Sequence, residues 1–433
     1  MSPEIIGGMG ILIMVVLMFL GMPIAFTMAL IGFVGFTYMT SLNGSLFLLG
    51  NAFYFQFTSY TMLVVPLFVF MGEIAFHSGI SKRIYHTAHA WLGFIPGGLA
   101  VATIGACAGF AAICGSSTAT AATMGTVALP EMRKYKYDQS FATGTVAAGG
   151  TLGILIPPSI VLIVYGIQTE LSIGKLFIAG ILPGIVLSAL FTLCILLMCF
   201  LKPSLGSPAP KTTLKEKIKS LSGTIEMAIL FFLVVGGLLL GWFTPTEAAG
   251  IGAAGAIVIA LVRRSLDWEK FKKALLGTTR TSAMVLLIIA CAMIFSRFLT
   301  VSGLPQWLAE WVGNLNSEPY LVLVCVMIIY VVGGCFMDAL SFLIITINIF
   351  FPMIVAAGFD PIWFGVIIVI LLETGAITPP VGINVYVIKG IAPEVPLYII
   401  FKGIFPFLAA MFIGLIILTL FPDIALVLPN LIR

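Results

Sequence analysis

Two runs of residues in this chain have the types and spacing for chemistry. In the first, Cys114-Gly-Ser-Ser-Thr-Ala-Thr120 sets hydroxyl groups behind a glycine, and Ala148-Gly-Gly-Thr-Leu-Gly-Ile-Leu-Ile-Pro-Pro158 follows. In the second, Asp338 is followed by Glu373-Thr-Gly-Ala-Ile-Thr-Pro-Pro-Val-Gly382 and then Asn384. Paired prolines remove backbone donors and disfavour a helical residue before them, so each run reads as an interrupted helix. Unwound carbonyls and half-helix C-termini suit a small cation such as Na⁺, and half-helix N-termini offer N–H groups and a positive dipole end to an anion. Ser116, Ser117, Thr118, Asp338, Thr374 and Thr378 are hard oxygen ligands for that cation. Back-bonding of a hydroxyl to its own helix, or a plain proline kink, would explain one such feature. It does not explain four hydroxyls behind a glycine together with a break that occurs twice.

The elements that hold these runs lie in a bilayer. Of the 433 residues, 61% are hydrophobic and 9% charged, whereas a soluble domain carries roughly 25% charged residues. A soluble enzyme is excluded, and no G-x-x-x-x-G-K-[ST] marks a nucleotide site. The net charge of +4 sits in short loops between apolar runs, as positive-inside topology requires, and does not indicate nucleic acid. The cysteines, mostly in apolar runs and without C-x-x-C, read as small hydrophobes. His77, His86 and His89 are too few and clustered for a multi-haem carrier, and His86/His89 read as a wet helix face.

The chain is written twice. At a shift of 222, Pro23 falls on Pro245, Pro130 on Pro352, Asp138 on Asp360, Gly153 on Gly375 and Pro157-Pro158 on Pro379-Pro380. Loop charge then gives the relative orientation. Lys82 and Arg83 face a segment, 305–318, that holds Glu310 and Glu318 and no base. Arg133, Lys134 and Lys136 face an uncharged 353–359, and the uncharged 40–60 loop faces Arg263, Arg264, Lys270, Lys272, Lys273 and Arg280. Equivalent loops lie on opposite sides, so the repeats are inverted.

The expected fold is an all-α polytopic membrane protein with two inverted-topology repeats, each holding a re-entrant helical hairpin and a broken transmembrane helix. Repeat one covers 1–201, with scaffold helices over about 1–77, an arm over about 80–93, and hairpin and broken helix over about 97–168. A basic linker, 202–222, carries Lys202, Lys211, Lys215, Lys217 and Lys219. Repeat two covers 223–433, with scaffold helices over about 223–300, an arm over about 303–316, and hairpin and broken helix over about 319–390. Ile80, Ile84, Ala88, Trp91 and Leu92 make one face of an amphipathic interfacial arm, opposite Lys82, Arg83, His86 and His89. Leu304, Trp307, Leu308, Trp311 and Leu315 do the same in its partner. Both termini are placed outside. Each hairpin tip must line a cavity, because non-helical backbone survives at that depth only inside protein or beside water. Asp338 is expensive there without a partner and is assigned to a cation site. Glu373 is a second coordinating group, a proton carrier or a helix cap. Glu73 and Arg297 are read as structural ion-pair residues. The solute is expected on Ser116, Ser117, Thr118, Thr120, Pro158 and Asn384.

At Gly115-Ser-Ser-Thr-Ala-Thr-Ala-Ala-Thr-Met-Gly125, Gly153-Ile-Leu-Ile-Pro-Pro-Ser159, Asp338 with Pro352, and Thr378-Pro-Pro-Val-Gly-Ile-Asn384, the sequence resembles the large membrane subunit of TRAP transporters, the DctM-like family. The resemblance covers essentially the whole chain. It implies an elevator-type secondary transporter, not an enzyme, in the bacterial inner membrane. Such a transporter uses a Na⁺ gradient with two or more sites to import an organic acid such as a sialic acid or a C4-dicarboxylate. It also implies two partners, a periplasmic binding protein and a separate small membrane subunit of about four helices. Carried over by residue, Ser116 and Ser117 with the backbone of Gly153, Ile156 and Pro158 resemble one sodium site. Asp338 with Thr374, Gly375, Thr378 and Pro380 resembles the other. Some members have Ser where this chain has Cys114. The competing readings are a stand-alone divalent-anion symporter and, from another class, a membrane subunit of a respiratory complex. The latter predicts paired intramembrane His or Cys ligands that the sequence lacks. A structural scaffold gives no reason to duplicate broken helices.

Overall fold

The computed structural model describes residues 2–210, 212–314 and 319–431, with backbone only at 311–314. Lys211 of the linker, Leu315, Glu318 and the side chain of Trp311 therefore lie outside the described residues. The first half contains α1 (Pro3–Phe19), α2 (Ile24–Met39), α3 (Leu42–Thr58), α4 (Val64–His77), α5 (Ile80–Leu92), α6 (Gly98–Cys114), α7 (Ser117–Lys134), α8 (Gln139–Gly150), α9 (Leu152–Leu155), α10 (Ile160–Thr169) and α11 (Ile173–Leu201). The connection holds α12 (Leu214–Ser220). The second half contains α13 (Ser222–Phe231), a π-turn, α14 (Gly237–Leu239), α15 (Pro245–Val262), α16 (Trp268–Ser302), α17 (Leu304–Asn314), α18 (Pro319–Phe336), α19 (Ala339–Ala356), α20 (Pro361–Ile377), α21 (Ile383–Ile391), α22 (Leu397–Leu420) and α23 (Asp423–Asn430). Among the described residues, 9 helices or helix runs are long and apolar enough to cross a membrane.

The repeat is visible element by element. Helices α7 and α19 start at 117 and 339 and end at 134 and 356, and α8–α9 (139–155) matches α20 (361–377). Equivalent caps set these starts. The Asp138 carboxylate accepts from the Phe141 N–H at 2.9 Å, and Asp360 accepts from Ile362 and Trp363 at 2.8 and 3.0 Å. Packing repeats with the halves exchanged: α2 on α16 and α15 on α4, α7 on α21 and α10 on α19, α1 on α17 and α13 on α5. Such swapped pairings are what a two-fold axis between the halves produces. With the opposite loop charges, they make the fold an inverted-repeat membrane bundle.

The broken spans occupy its centre. In the run 139–169, 94% of the most apolar window is buried, against 28% for α11. The unwound backbone of the first break is thus kept from lipid, where its unpaired groups would be costly.

Three expectations change. The 40–60 loop is mostly α3, started by Ser41, whose hydroxyl accepts from the Gly44 N–H at 3.1 Å. Its polar residues Asn43, Ser45, Asn51 and Gln56 mask the apolar run, and Ser45 and Gln56 are buried against neighbouring helices. In the second half the equivalent of α3 and α4 is one continuous helix, α16; only the first half has Pro66 in the first turn of α4. Glu73 and Arg297 do not pair with each other. Glu73 meets His77 at 3.5 Å one turn on, and Arg297 is exposed, with no ion pair among the described residues. Arg83 leaves the wet face of α5 and turns inward. It donates to Glu226 Oε2 through Nε and a terminal nitrogen at 3.1 and 2.7 Å, while Arg263 grips Oε1 at 2.6 Å.

The linker is held against the same arm. Thr87 donates to the Ser220 carbonyl at 2.6 Å, Trp91 to Lys217 at 3.2 Å, and Thr212 to Ala90 at 2.6 Å.

Candidate functional site

Each hairpin turns at a helix start. Gly115 ends α6 with φ +66°, a left-handed turn that a side chain resists, and Ser116 caps α7 by accepting from the Ala119 N–H at 3.3 Å. The Ser116 carbonyl accepts from Thr120 Oγ1 at 2.8 Å. At the same position of the second hairpin, 222 residues on, Asp338 caps α19 and accepts from the Leu340 N–H at 3.2 Å. One tip is capped by a neutral hydroxyl and the other by a carboxylate.

The breaks sit directly on the tips. A Cβ at Gly153 would stand 2.5 Å from the Ser116 carbonyl oxygen and 2.6 Å from Thr120 Oγ1, so only glycine permits this contact. The carbonyl of Pro158 lies beside Gly115, and Ile156, extended, ends α9. In the second half, Gly375 packs on Gly334, and the Gly382 N–H donates to Cys335 across the hairpin at 3.4 Å. Thr374 and Thr378 spend their hydroxyl protons on Ile370 and Thr374 carbonyls at 2.7 and 2.6 Å, leaving lone pairs for other use. The first proline pair is buried and the second exposed, and both Pro-Pro bonds are cis.

Both tips border one cavity of about 500 Å³. Ser116, Ser117, Thr118 and Asp338 line it, with Ile154, Ile160 and Val387 from the broken spans. The opposite wall is Glu73 and neighbours on α4, and Thr281 and Met284 on α16. Thr120, Pro158 and Asn384 are not in its lining. Thr120 is turned into the hairpin by its bond to Ser116, and Pro158 is buried against Gly115. Asn384 donates to Glu373 Oε2 at 3.3 Å. Glu373 is 1% exposed, and its Oε1 and Asn384 Oδ1 have no hydrogen-bond partner. Both orphans are acceptors, which a cation or an added proton would satisfy.

Sequence reasoning missed two lining hydroxyls, Thr123 and Thr281. Thr123 had a signal: it lies seven residues after Ser116, two helical turns along the same face. Thr281 had none, because only tertiary packing brings α16 to the hairpins. Among the described residues no three His, Cys, Asp or Glu side chains cluster as a metal site. Apart from Cys114, the polar side chains of the cavity wall are hydroxyls and the Glu73 and Asp338 carboxylates, all hard oxygen donors.

The chain matches the family model of the tripartite ATP-independent periplasmic transporter, DctM component, over residues 11–424. It is 39% identical over 373 residues to the C4-dicarboxylate TRAP transporter large permease protein DctM of Pseudomonas aeruginosa, covering 86% of each chain. It is 32% identical over 424 residues to the sialic acid TRAP transporter large permease protein SiaM of Vibrio cholerae, covering 96% of each. Among solved structures, the Alcanivorax borkumensis YdaH transporter shares its fold, with a TM-score of 0.59 at 16% identity, covering 89% of this chain and 88% of that one.

Proposed function

We propose, from the premise that this chain belongs to the DctM component family of tripartite ATP-independent periplasmic transporters, that it is the large permease of a Na⁺-coupled importer of an organic acid. The observation that carries this reading is the convergence of two hairpin tips, one neutral and one acidic, on a single cavity. Na⁺ is a co-substrate held by oxygen. Ser116 and Ser117 with the carbonyls of Gly153, Ile156 and Pro158 form one site, and Asp338 with Thr374, Gly375, Thr378 and Pro380 forms the other. Occupation of the second offsets the Asp338 charge, so that a carboxylate can approach the N-terminus of α7, whose cap leaves its dipole uncompensated. The named relatives that carry C4-dicarboxylates and sialic acid support a carboxylate solute.

The cavity divides the molecule into α4 and α16 on one wall and the hairpins with their breaks on the other. An elevator step slides the second wall along the first, carrying ions and solute together. The basic linker and α5 then lie on the cytoplasmic side of the inner membrane and both termini on the periplasmic side. A binding protein delivers the solute, and a small membrane subunit of about four helices supports the scaffold.

The test is uptake into proteoliposomes that contain this chain and the small subunit, with loaded binding protein outside. Uptake that follows an imposed Na⁺ gradient and stops when it is dissipated supports the reading. Uptake that ignores Na⁺ and follows a pH gradient defeats the coupling, and uptake without binding protein favours a stand-alone symporter.

A further inference from the structure

Helix α7 carries one face from the cavity to its far end. Ala119 and Ala122 line the cavity, and the same face continues at steps of three or four residues through Thr126 and Pro130 to Arg133. Exposure rises along it, since the two alanines are half-buried and Thr126, Pro130 and Arg133 are exposed. The distance from Ala119 to Arg133 is about 21 Å along the helix axis. Helix α21 repeats the pattern, with Val387 on the cavity and Ile391, one turn on, packed on Gly125 of α7. Beyond that contact a second cavity of about 430 Å³ opens between the two helices, bordered by Pro130, Arg133, Lys134, Ile391 and Glu394. The scaffold wall of the first cavity uses Glu73 and Phe76 near the end of α4 that leads into α5, and Thr281 in the first half of α16. The first cavity thus sits on the α5 side of the bundle, and the open face of α7 leads out of it on that side.

Charge differs at the two ends of this face. The lining of the first cavity carries Glu73 and Asp338 and, among the described residues, no Lys, Arg or His. The second carries Arg133 and Lys134 against Glu394 alone. While Na⁺ is bound, the acids of the first are offset; once it leaves, a carboxylate there faces like charge, and the first bases along α7 are Arg133 and Lys134. Arg133 pairs with Glu394, whereas Lys134 reaches Glu131 only at 3.9 Å. A guanidinium offers any carboxylate the same forked pairing, so a leaving acid can replace Glu394 on Arg133. Positive-inside topology accounts for bases at this end of α7, and the equivalent end of α19 has Val355 and Ala356. It does not account for their position at the end of the face that leads from the cavity.

Building on the organic-acid reading above, we infer that Arg133 and Lys134 form a second carboxylate site, a release station at the cytoplasmic mouth where the departing acid displaces Glu394. The experiment follows Na⁺-driven uptake into proteoliposomes that hold this chain and the small subunit, with loaded binding protein outside. Succinate, as a probe carboxylate, is trapped inside at increasing concentration. It should occupy the station and inhibit uptake saturably. Arg133→Gln should raise the half-inhibiting succinate concentration about threefold, the scale of an exposed charge contact, and slow maximal uptake without changing the half-saturating Na⁺ concentration. Glu394→Gln, which frees Arg133, should lower the half-inhibiting concentration by about the same factor. An ion pair that only ties α7 to the turn after α21 would move both variants in the same direction, and that outcome overturns the inference while the organic-acid reading stands. Succinate inhibition that is unchanged in a folded Arg133→Gln overturns it equally. Wild-type uptake that follows no Na⁺ gradient counts against the earlier reading alone, because the opposite shifts of the two variants can be read on any uptake that persists.

Discussion

The two hairpin-and-break units share a backbone and differ in charge. Ser116 and Asp338 cap equivalent helices 222 residues apart, Thr151 stands where the second half has Glu373, and Leu162 stands where it has Asn384. The first unit is built from hydroxyls and a buried Pro157-Pro158. The second is acidic, and its Pro379-Pro380 is exposed. Duplication supplied two symmetric tips, and a few substitutions left one neutral and made the other acidic. Symmetry thus sets the positions, and the departures from it set the charge.

Four substitutions test that contrast. The largest effect belongs to Asp338→Ala, which should cut Na⁺ affinity roughly a hundredfold, the equivalent of about 2–3 kcal/mol from a charge-assisted contact; Na⁺-dependent uptake at fixed solute measures it. Normal Na⁺ dependence would mean that the acidic tip is only a helix cap. Next is Ser116→Asp, which makes the two tips alike and places a second carboxylate at the proposed anion site. Solute binding should be lost while the protein assembles normally, and retained binding would place the anion elsewhere.

The arms extend the contrast, because α5 is fastened by charge, whereas α17 packs closely on Gly7 of α1 through Leu304, beside Ser302 at the end of α16. Glu226→Ala should therefore lower stability by about 2–3 kcal/mol, less than the full cost of breaking a buried pair because both arginines remain partly solvated. Thermal unfolding in detergent reads it, and a neutral outcome would show that the linker contacts alone hold α5. Smallest is the ion pair from Arg133 to Glu394, whose counterpart position in the second half is the apolar Val355. The Glu394 carboxyl is held below the usual range, first by its own backbone N–H and then by Arg133. A lowered folded-state value means that the contribution is present above the unfolded-state value and fades as pH falls through the folded one. Arg133→Ala should lower stability slightly at pH 7 and leave pH 4 unchanged, flattening the acid-side loss, as parallel melts at the two pH values would show.

Much of this molecule is legible in its sequence because proline and glycine act locally. The spacing of Pro157-Pro158 and Pro379-Pro380, with Gly115 and Asp338 ahead of them, marks the breaks and tips without knowledge of any partner. What depends on lateral packing is hidden. Helix α3 is obscured by buried Ser45 and Gln56, whose polarity imitates a loop. Glu226 sits in an apolar run beside the linker, and nothing nearby in the chain announces Arg83 and Arg263 as its partners. Thr281 and Thr123 look like ordinary hydroxyls of membrane helices until α16 and α7 are seen on facing walls.

The swapped packing of the halves has a further consequence for the linker. Because α2 on α16 and α15 on α4 already hold the halves together, the peptide between them contributes little to cohesion. Its bonds along α5 make it a guide rail, and covalent continuity at 203–213 becomes a matter of assembly order, not of architecture. Two separately synthesised halves, cut there, would meet as a heterodimer with the same cavity between them.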